Sequence, residues 1–284
     1  MIGKTVKVVV DRPLGSYHPE YKDMYYPINY GYVEGIYAAD GEEQDAYILG
    51  VNESVTEFVG KIIAVIHRFD DVEEKWVVAP KGMVFTKEEI QEKVAFQEQY
   101  FNSEIRMKNI IHIFGASGSG TSTLGRKICE ELGYTFMDTD DYFWLPTDPK
   151  YTQKRPIAER LELMRKDIDD AKNVVISGSL TDWGDVLIPQ FTLAIRLKTD
   201  KEIRIDRLRK REKEAFGSRI EPGGDMYKNH LEFIEWARAY DEGDINMRSK
   251  AKHDEWQKLL MCQLLHLNGS DELSKNLEIV KGYL

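Results

Sequence analysis

Short alternations of apolar and polar residues fill the first hundred or so positions of the chain. The stretches 5–10, 31–37, 45–51, 57–67 and 75–79 read as strands, separated by Pro, Gly and Asp turns. At Thr86 the period changes. Thr86-Lys87-Glu88-Glu89 fits a capping box, and Ile90, Val94 and Phe101 supply the apolar stripe of a helix. Strands followed by one helix predict a small β-barrel or curled sheet with a helix covering it. Beyond residue 108 the rhythm alternates instead. Strands are expected at 109–114, 134–137, 174–177, 192–197 and 260–267, with helices at 121–132, 157–171, 201–216, 226–240 and 271–282. Strand and helix in alternation imply βαβ units, here an α/β domain with a five-stranded parallel sheet covered on both faces. The polar stretch 103–108 reads as the joint, giving domains 1–107 and 108–284.

Composition narrows the class. A length of 284 residues suits two domains, and 42% hydrophobic with 31% charged residues is a globular composition. No run approaches the roughly 18 apolar residues of a membrane span. The start, MIGKTVKVVVDRP, lacks the apolar core of a secretory signal. Two cysteines, Cys129 and Cys262, are too few for a disulfide framework and suit a reducing compartment, so a cytoplasmic location with no membrane partner is expected. The net charge is −10, and the first 107 residues hold 19 acidic against 11 basic side chains. That balance argues against a nucleic-acid partner, which needs a basic face to displace counterions. An oligomer is left open.

Between the strand at 109–114 and the helix at 121–132 stands Gly115-Ala116-Ser117-Gly118-Ser119-Gly120-Thr121-Ser122-Thr123. Glycines let successive backbone N–H groups turn inward, and the helix N-terminus adds partial positive charge, so this context suits a phosphate loop. Ser122 occupies the hydroxyl position for Mg²⁺. Thr121 stands where a lysine is usual, so a cation from elsewhere must meet the transferring phosphoryl group. Arg204, Arg207 and Arg211 share a helical face, and Arg219 follows in the glycine-containing loop 217–224, an arrangement suited to a lid over phosphates. After the second strand, Asp138 or Asp140 would position an acceptor as base, with a polar loop and helix cap as the plainer alternative. The segments 154–160 and 223–241 would line an acceptor pocket. The motifs GASGSGTST, FMDTDDYFW and RLRKRE make residues 108–284 resemble the adenylate kinase superfamily of small P-loop kinases. That resemblance implies ATP as donor, Mg²⁺ as cofactor and an arginine-bearing lid, and it leaves the acceptor open between a nucleotide and another small molecule.

Two acidic clusters mark the first domain. Asp40, Glu42 and Asp45 sit in one turn, and Asp70, Asp71 and Glu73 in a later one, next to Lys75. Crowded carboxylates favour hard cations, Mg²⁺ or Mn²⁺, which could generate a hydroxide nucleophile; the plainer alternative is a pair of solvated turns. With YYPINYGY, DGEEQD and EEKWVVAP, residues 1–104 resemble the soluble family I inorganic pyrophosphatases. The resemblance implies Asp40, Glu42, Asp45, Asp70 or Asp71, and Glu73 as metal ligands, Lys75, Tyr30 and Tyr100 on phosphate, and pyrophosphate or another phosphorylated small molecule as ligand. Three departures stand out: Glu42 and Glu73 replace aspartates, Phe101 replaces a phosphate-binding lysine, and Arg12 aligns only across a gap. Two readings stay open, a catalytic Mg²⁺-dependent hydrolase with Asp45 at its centre, or a non-catalytic module that senses a phosphorylated ligand for the kinase-like domain.

Overall fold

The computed structural model describes residues 2–284 apart from Ala39, Val72, Glu73, Val84 and Met261. It divides into two compact units, the first ending at Lys108 and the second running Asn109–Tyr283.

The first unit comprises β1 (Thr5–Arg12), β2 (Asn29–Tyr37), β3 (Glu43–Ile48), β4 (Glu57–Arg68), β5 (Glu74–Ala79), helix α1 (Lys87–Glu98) and β6 (Ser103–Arg106). Hydrogen bonding runs β1-β2-β3-β5-β4, and β4 pairs back to β1, so five strands close into a barrel. Every pairing is antiparallel except β3 with β5. Closure demands a close approach between β1 and β2 at Gly31, where any Cβ would collide with the Val9–Val10 backbone. Period-two alternation then sorts the apolar side chains. Val8, Ala46, Ile62 and Val78 form one cluster, while Tyr47, Ala64, Ile66 and Val77 form another with Ile90 and Val94 of α1.

Two expectations change here. Thr86 does form a capping box with Glu89, but α1 ends at Glu98, so Phe101 is not part of its stripe. Its ring instead lies 3.6 Å beneath the Arg68 guanidinium. The polar stretch expected to be a joint begins with β6, which pairs antiparallel with the end of β4 and buries Ile105. Edge pairing satisfies that backbone without an apolar run, so the strand left little trace in the pattern.

The second unit holds β7 (Ile110–Gly115), α2 (Thr121–Leu132), β8 (Thr135–Asp138), α3 (Thr139–Phe143), α4 (Ile157–Asp170), β9 (Val174–Ser177), β10 (Leu193–Lys198), α5 (Lys201–Phe216), α6 (Tyr227–Arg238), α7 (Lys250–Trp256), β11 (Leu264–Asn268) and α8 (Leu273–Gly282). The sheet order is β11-β10-β7-β9-β8, and every pairing is parallel. All six residues of β7 are buried, as a central parallel strand requires. The chain leaves β7 toward β8 and β9 on one side and later adds β10 and β11 on the other. The carboxyl end of β7 is therefore the switch point where ligands bind in such sheets. The last strand starts at Leu264, later than its apolar run predicts, and is preceded by a short 3₁₀ turn at residues 257–259. The short helices α3 and α7 were not predicted. Among the described residues no helix is long and apolar enough to cross a membrane.

Candidate active site

The loop after β7 is shaped by three glycines, each needed for a different reason. Gly115 lies so close to β10 that a Cβ would stand 2.5 Å from the Leu197 carbonyl oxygen. Gly118 and Gly120 take φ of 81° and 100°, the left-handed region that other residues rarely enter. Gly120 is the N-cap of α2 and supplies no side-chain cap, so the first N–H groups of a twelve-residue helix face the loop uncapped. Ser119 is buried with its hydroxyl unpartnered. From the first turn of α2, Ser122 Oγ donates to Asp138 Oδ2 at 3.1 Å and lies 3.2 Å from Ser177 Oγ. The expected hydroxyl and one of the two expected acids thus meet at the ends of three neighbouring elements.

A cleft of about 610 Å³ opens beside the loop. Ser117, Asp140, Arg211 and Arg248 line it, with aromatic walls that include Trp144, Trp183 and Trp236. Asp138 Oδ1 accepts from the Asp140 N–H at 3.1 Å, which caps α3 and turns the next carboxylate toward the cleft. Asp140 is exposed at the cleft. Desolvation within the cleft and the neighbouring Asp138 push its pKa up, while Arg248 and Arg211 pull it down.

The arginines divide by role. Arg204 is buried, pairs with Asp241 and donates to the Thr199 carbonyl at 3.0 Å, so it braces the fold rather than facing phosphate. Arg207 reaches Gly118 O at 3.4 Å and Gly269 O at 3.1 Å, spanning the loop and the turn after β11. Arg211 stands in the cleft wall. Arg219 pairs with Asp148 at 2.8 Å and Asp225 at 2.7 Å, and is not among the cleft-lining residues. The residue that sequence reasoning missed is Arg248. It donates to Ser117 Oγ, lies 4.6 Å over the Trp236 ring and keeps a buried Nε without a partner. Nothing around Arg248 in the sequence marks it, since its partner in the loop is 131 positions away.

In the barrel, Asp45 pairs with the buried Lys75, and the Asp45 charge acts on the buried Tyr30. Arg12 pairs with Asp11 at 2.8 Å, and the charges of Asp11 and Asp45 reach each other and Tyr26. The structure thus gathers Arg12, Tyr30, Asp45 and Lys75, and adds Asp11, which no motif announced. Burial and the nearby Asp45 raise the Tyr30 pKa well above the ordinary tyrosine range. The other acids stand apart from that group. Asp40 and Glu42 lie on the exposed turn, where the Glu42 N–H donates to Asp40 Oδ1. Asp71 pairs with Arg68 at 3.2 Å, and Asp70 accepts from the Asn102 N–H at 3.3 Å. Arg68 also makes two bonds to Glu98, at 2.6 and 3.1 Å. Tyr100 is 69% exposed. Glu73 lies outside the described residues. Among the described residues, which do not include Glu73, no three His, Cys, Asp or Glu side chains are grouped to hold a metal ion. Ser122 with Asp138 does fit Mg²⁺, which usually takes only one or two protein oxygens and completes its shell with phosphates and water.

The protein YqaC of Bacillus subtilis (strain 168) is 39% identical over 178 residues, which are 63% of this chain and 98% of YqaC. The chain belongs to the YqaC family. A family model described as an AAA domain matches residues 111–223. The cytidylate kinase of Pyrococcus horikoshii is 34% identical over 116 residues, 37% of this chain, and the chain spans only 58% of that enzyme. These matches and the loop geometry make the second unit a P-loop domain of the nucleotide and small-molecule kinase type. Among solved structures, the inorganic pyrophosphatase of Ehrlichia chaffeensis aligns with 37% of this chain and 85% of its own, at 18% identity and a TM-score of 0.30.

Proposed function

We propose that the second unit transfers the γ-phosphoryl group of ATP to a small molecule held in the cleft beside the phosphate loop. One observation carries this reading: a single cleft brings the loop residue Ser117 together with a carboxylate, Asp140, and two arginines, Arg211 and Arg248. The amides of Gly115 to Gly120 hold the donor phosphates, with Thr121, Ser122 and Thr123 opening α2 beneath them. Ser122 and Asp138 would hold Mg²⁺, which when bound neutralises phosphate charge. Arg248, anchored on Ser117, supplies the positive charge that the missing loop lysine would bring, and Arg211 adds to it. Arg207 steadies the loop from outside, and Arg219 is engaged by its two acids. Asp140 takes the proton of the acceptor hydroxyl as the new O–P bond forms and the bond from the γ-phosphorus to the bridging oxygen breaks, leaving ADP. The test is transfer of labelled phosphoryl from ATP to a panel of nucleotides and hydroxy compounds by the full chain. Asp140→Asn and Arg248→Ala should each lower kcat by about 10²–10³-fold, with ATP affinity little changed in Asp140→Asn. Full activity in both variants sinks the assignment.

For the barrel, the internal pairing of its charges supports ligand binding over hydrolysis. Lys75 neutralises Asp45, and Arg68 neutralises Asp71 while stacking on Phe101. A phosphorylated ligand would take Arg12, Tyr30 and Lys75 by displacing the carboxylates of Asp11 and Asp45. Steady release of phosphate from pyrophosphate with Mg²⁺ or Mn²⁺, abolished by Asp45→Asn, would overturn this view and make the barrel a hydrolase.

A further inference from the structure

The charges lining the cleft are unevenly committed. Of its acids, Asp182 pairs with Lys252, Glu232 with Lys228 at 3.6 Å, and Glu212 lies 3.6 Å from His230 and 3.8 Å from Arg211. Asp140 already faces Arg211 and Arg248. Two lysines in the same lining have no acidic partner of this kind, although Lys154 lies 5.8 Å over the Phe143 ring. Among the described residues neither Lys150 nor Lys154 forms an ion pair, and Lys150 acts on Asp141 only at longer range. Both are exposed and both line the cleft.

The loop that carries them is built, not slack. Leu145 N–H donates to Gln153 O and Arg155 N–H to Phe143 O, while Trp144 and Lys154 form a backbone bridge. The Thr147 and Thr152 hydroxyls lie 2.9 Å from each other and each lies 2.9 Å from Pro149 O, so their two protons are shared within this triangle. Among the described residues the non-glycine positions with positive φ are Tyr151 at 63° and Asp182 at 72°, and both line this cleft. A tyrosine in the left-handed region is strained, and such outliers gather at ligand sites where surrounding structure enforces them. Here the conformation presents a half-exposed ring, 6.1 Å from Trp144, between the two lysines in sequence.

We infer that the loop from Trp144 to Lys154 is an anion-plus-ring subsite, and that the acceptor is a planar-ring compound carrying an anionic group of its own beside the atom that receives the phosphoryl group. Lys150 and Lys154 hold that anion, and Trp144 and Tyr151 hold the ring. The inference rests on the kinase reading for the word acceptor, but its binding test does not need turnover. Calorimetry on the full chain compares two pairs of probes: cytidine 5′-monophosphate with cytidine, and pyridoxine 5′-phosphate with pyridoxine. In at least one pair the phosphorylated member binds tenfold or more tightly. In Lys150→Ala/Lys154→Ala, with circular dichroism unchanged, that preference falls to about twofold or less. Tyr151→Gly, which relieves the backbone and removes the ring, weakens both members of the pair alike. The inference is overturned if neither pair shows a preference, if none of the four probes binds, or if Arg248→Ala rather than the lysine variant abolishes it. ATP binding to the parent chain, measured in parallel, reports on the kinase reading separately: its absence sinks that reading whatever the probes do.

Discussion

His112 and His253 are buried histidines whose surroundings hold them neutral well below the ordinary histidine range. His112 lies on β7 between the rings of Phe114 and Phe191, with Trp256 edge-on. His253 on α7 meets the Tyr240 hydroxyl through Nδ1 at 2.8 Å and Ser179 Oγ through Nε2 at 3.4 Å. Burial is the leading cause that pushes each pKa down to about 3, with the charges of Arg248 and Arg196 adding to the effect at His253. The unfolded chain binds a proton at each below the ordinary histidine value of about 6.5, while the folded chain resists until about pH 3. Between those values the unfolded state holds more protons, so stability falls as pH falls through that window and is fully present above it. Each histidine contributes a slope of about 1.4 kcal/mol per pH unit. Urea unfolding between pH 7 and pH 5 should therefore show His112→Leu losing less stability than the parent, by on the order of 2 kcal/mol. An unchanged slope would place a charged histidine in the folded core.

At the scale of elements, the loop and helix α2 depend on backbone shape more than on side chains. Gly118 combines a φ of 81° with a Cβ position 2.6 Å from the Arg204 carbonyl oxygen, whereas Gly133, the C-cap of α2, has a φ of 69° with open space around it. Gly118→Ala must shift the loop against α5, so ATP affinity should fall at least a hundredfold. Gly133→Ala meets only the left-handed penalty, about 1–2 kcal/mol of stability, with ATP affinity unchanged. Titration of ATP into both variants checks the contrast, and equal losses would mean that the loop is not the nucleotide cradle. The same scale explains what local pattern could and could not reveal. Helix α2 and the strand before it were legible because their cues are contiguous: a buried apolar run, glycines, then a periodic stripe. The helix α3 was read only as a cap at Asp138, and α7 was missed altogether, since five and seven residues hold too few turns for periodicity to register. The strand β6 was missed because edge pairing, not hydrophobicity, holds it.

For the whole molecule, the two units carry separate hydrophobic clusters, one set in the barrel and another around β7 and α4. A nucleotide that binds only the second unit stabilises only the structure it touches, by about 2.7 kcal/mol at a hundredfold excess over Kd. Hydrogen exchange with and without ATP should show added protection in β7, α2 and β9 and none in β1 to β5. Protection spreading evenly over both sets of strands would show that they unfold as one.

The sequence by itself determined a small barrel or curled sheet with its covering helix, the parallel sheet and the glycine loop before α2, because each is written in neighbouring residues whose spacing matches a backbone period. It also carried both family resemblances, through contiguous motifs. The tertiary structure decided which charged residues open on the cleft and which are spent on the fold. Arg204 and Arg211 share a helix face in sequence, yet one is buried against Asp241 and the other opens on the cleft. Arg248 reaches the loop from far along the chain, and Lys75 meets Asp45 across paired strands. The physical reason is that a charge is committed by whichever opposite group folding brings within a few ångströms, and that distance has no signature in local sequence.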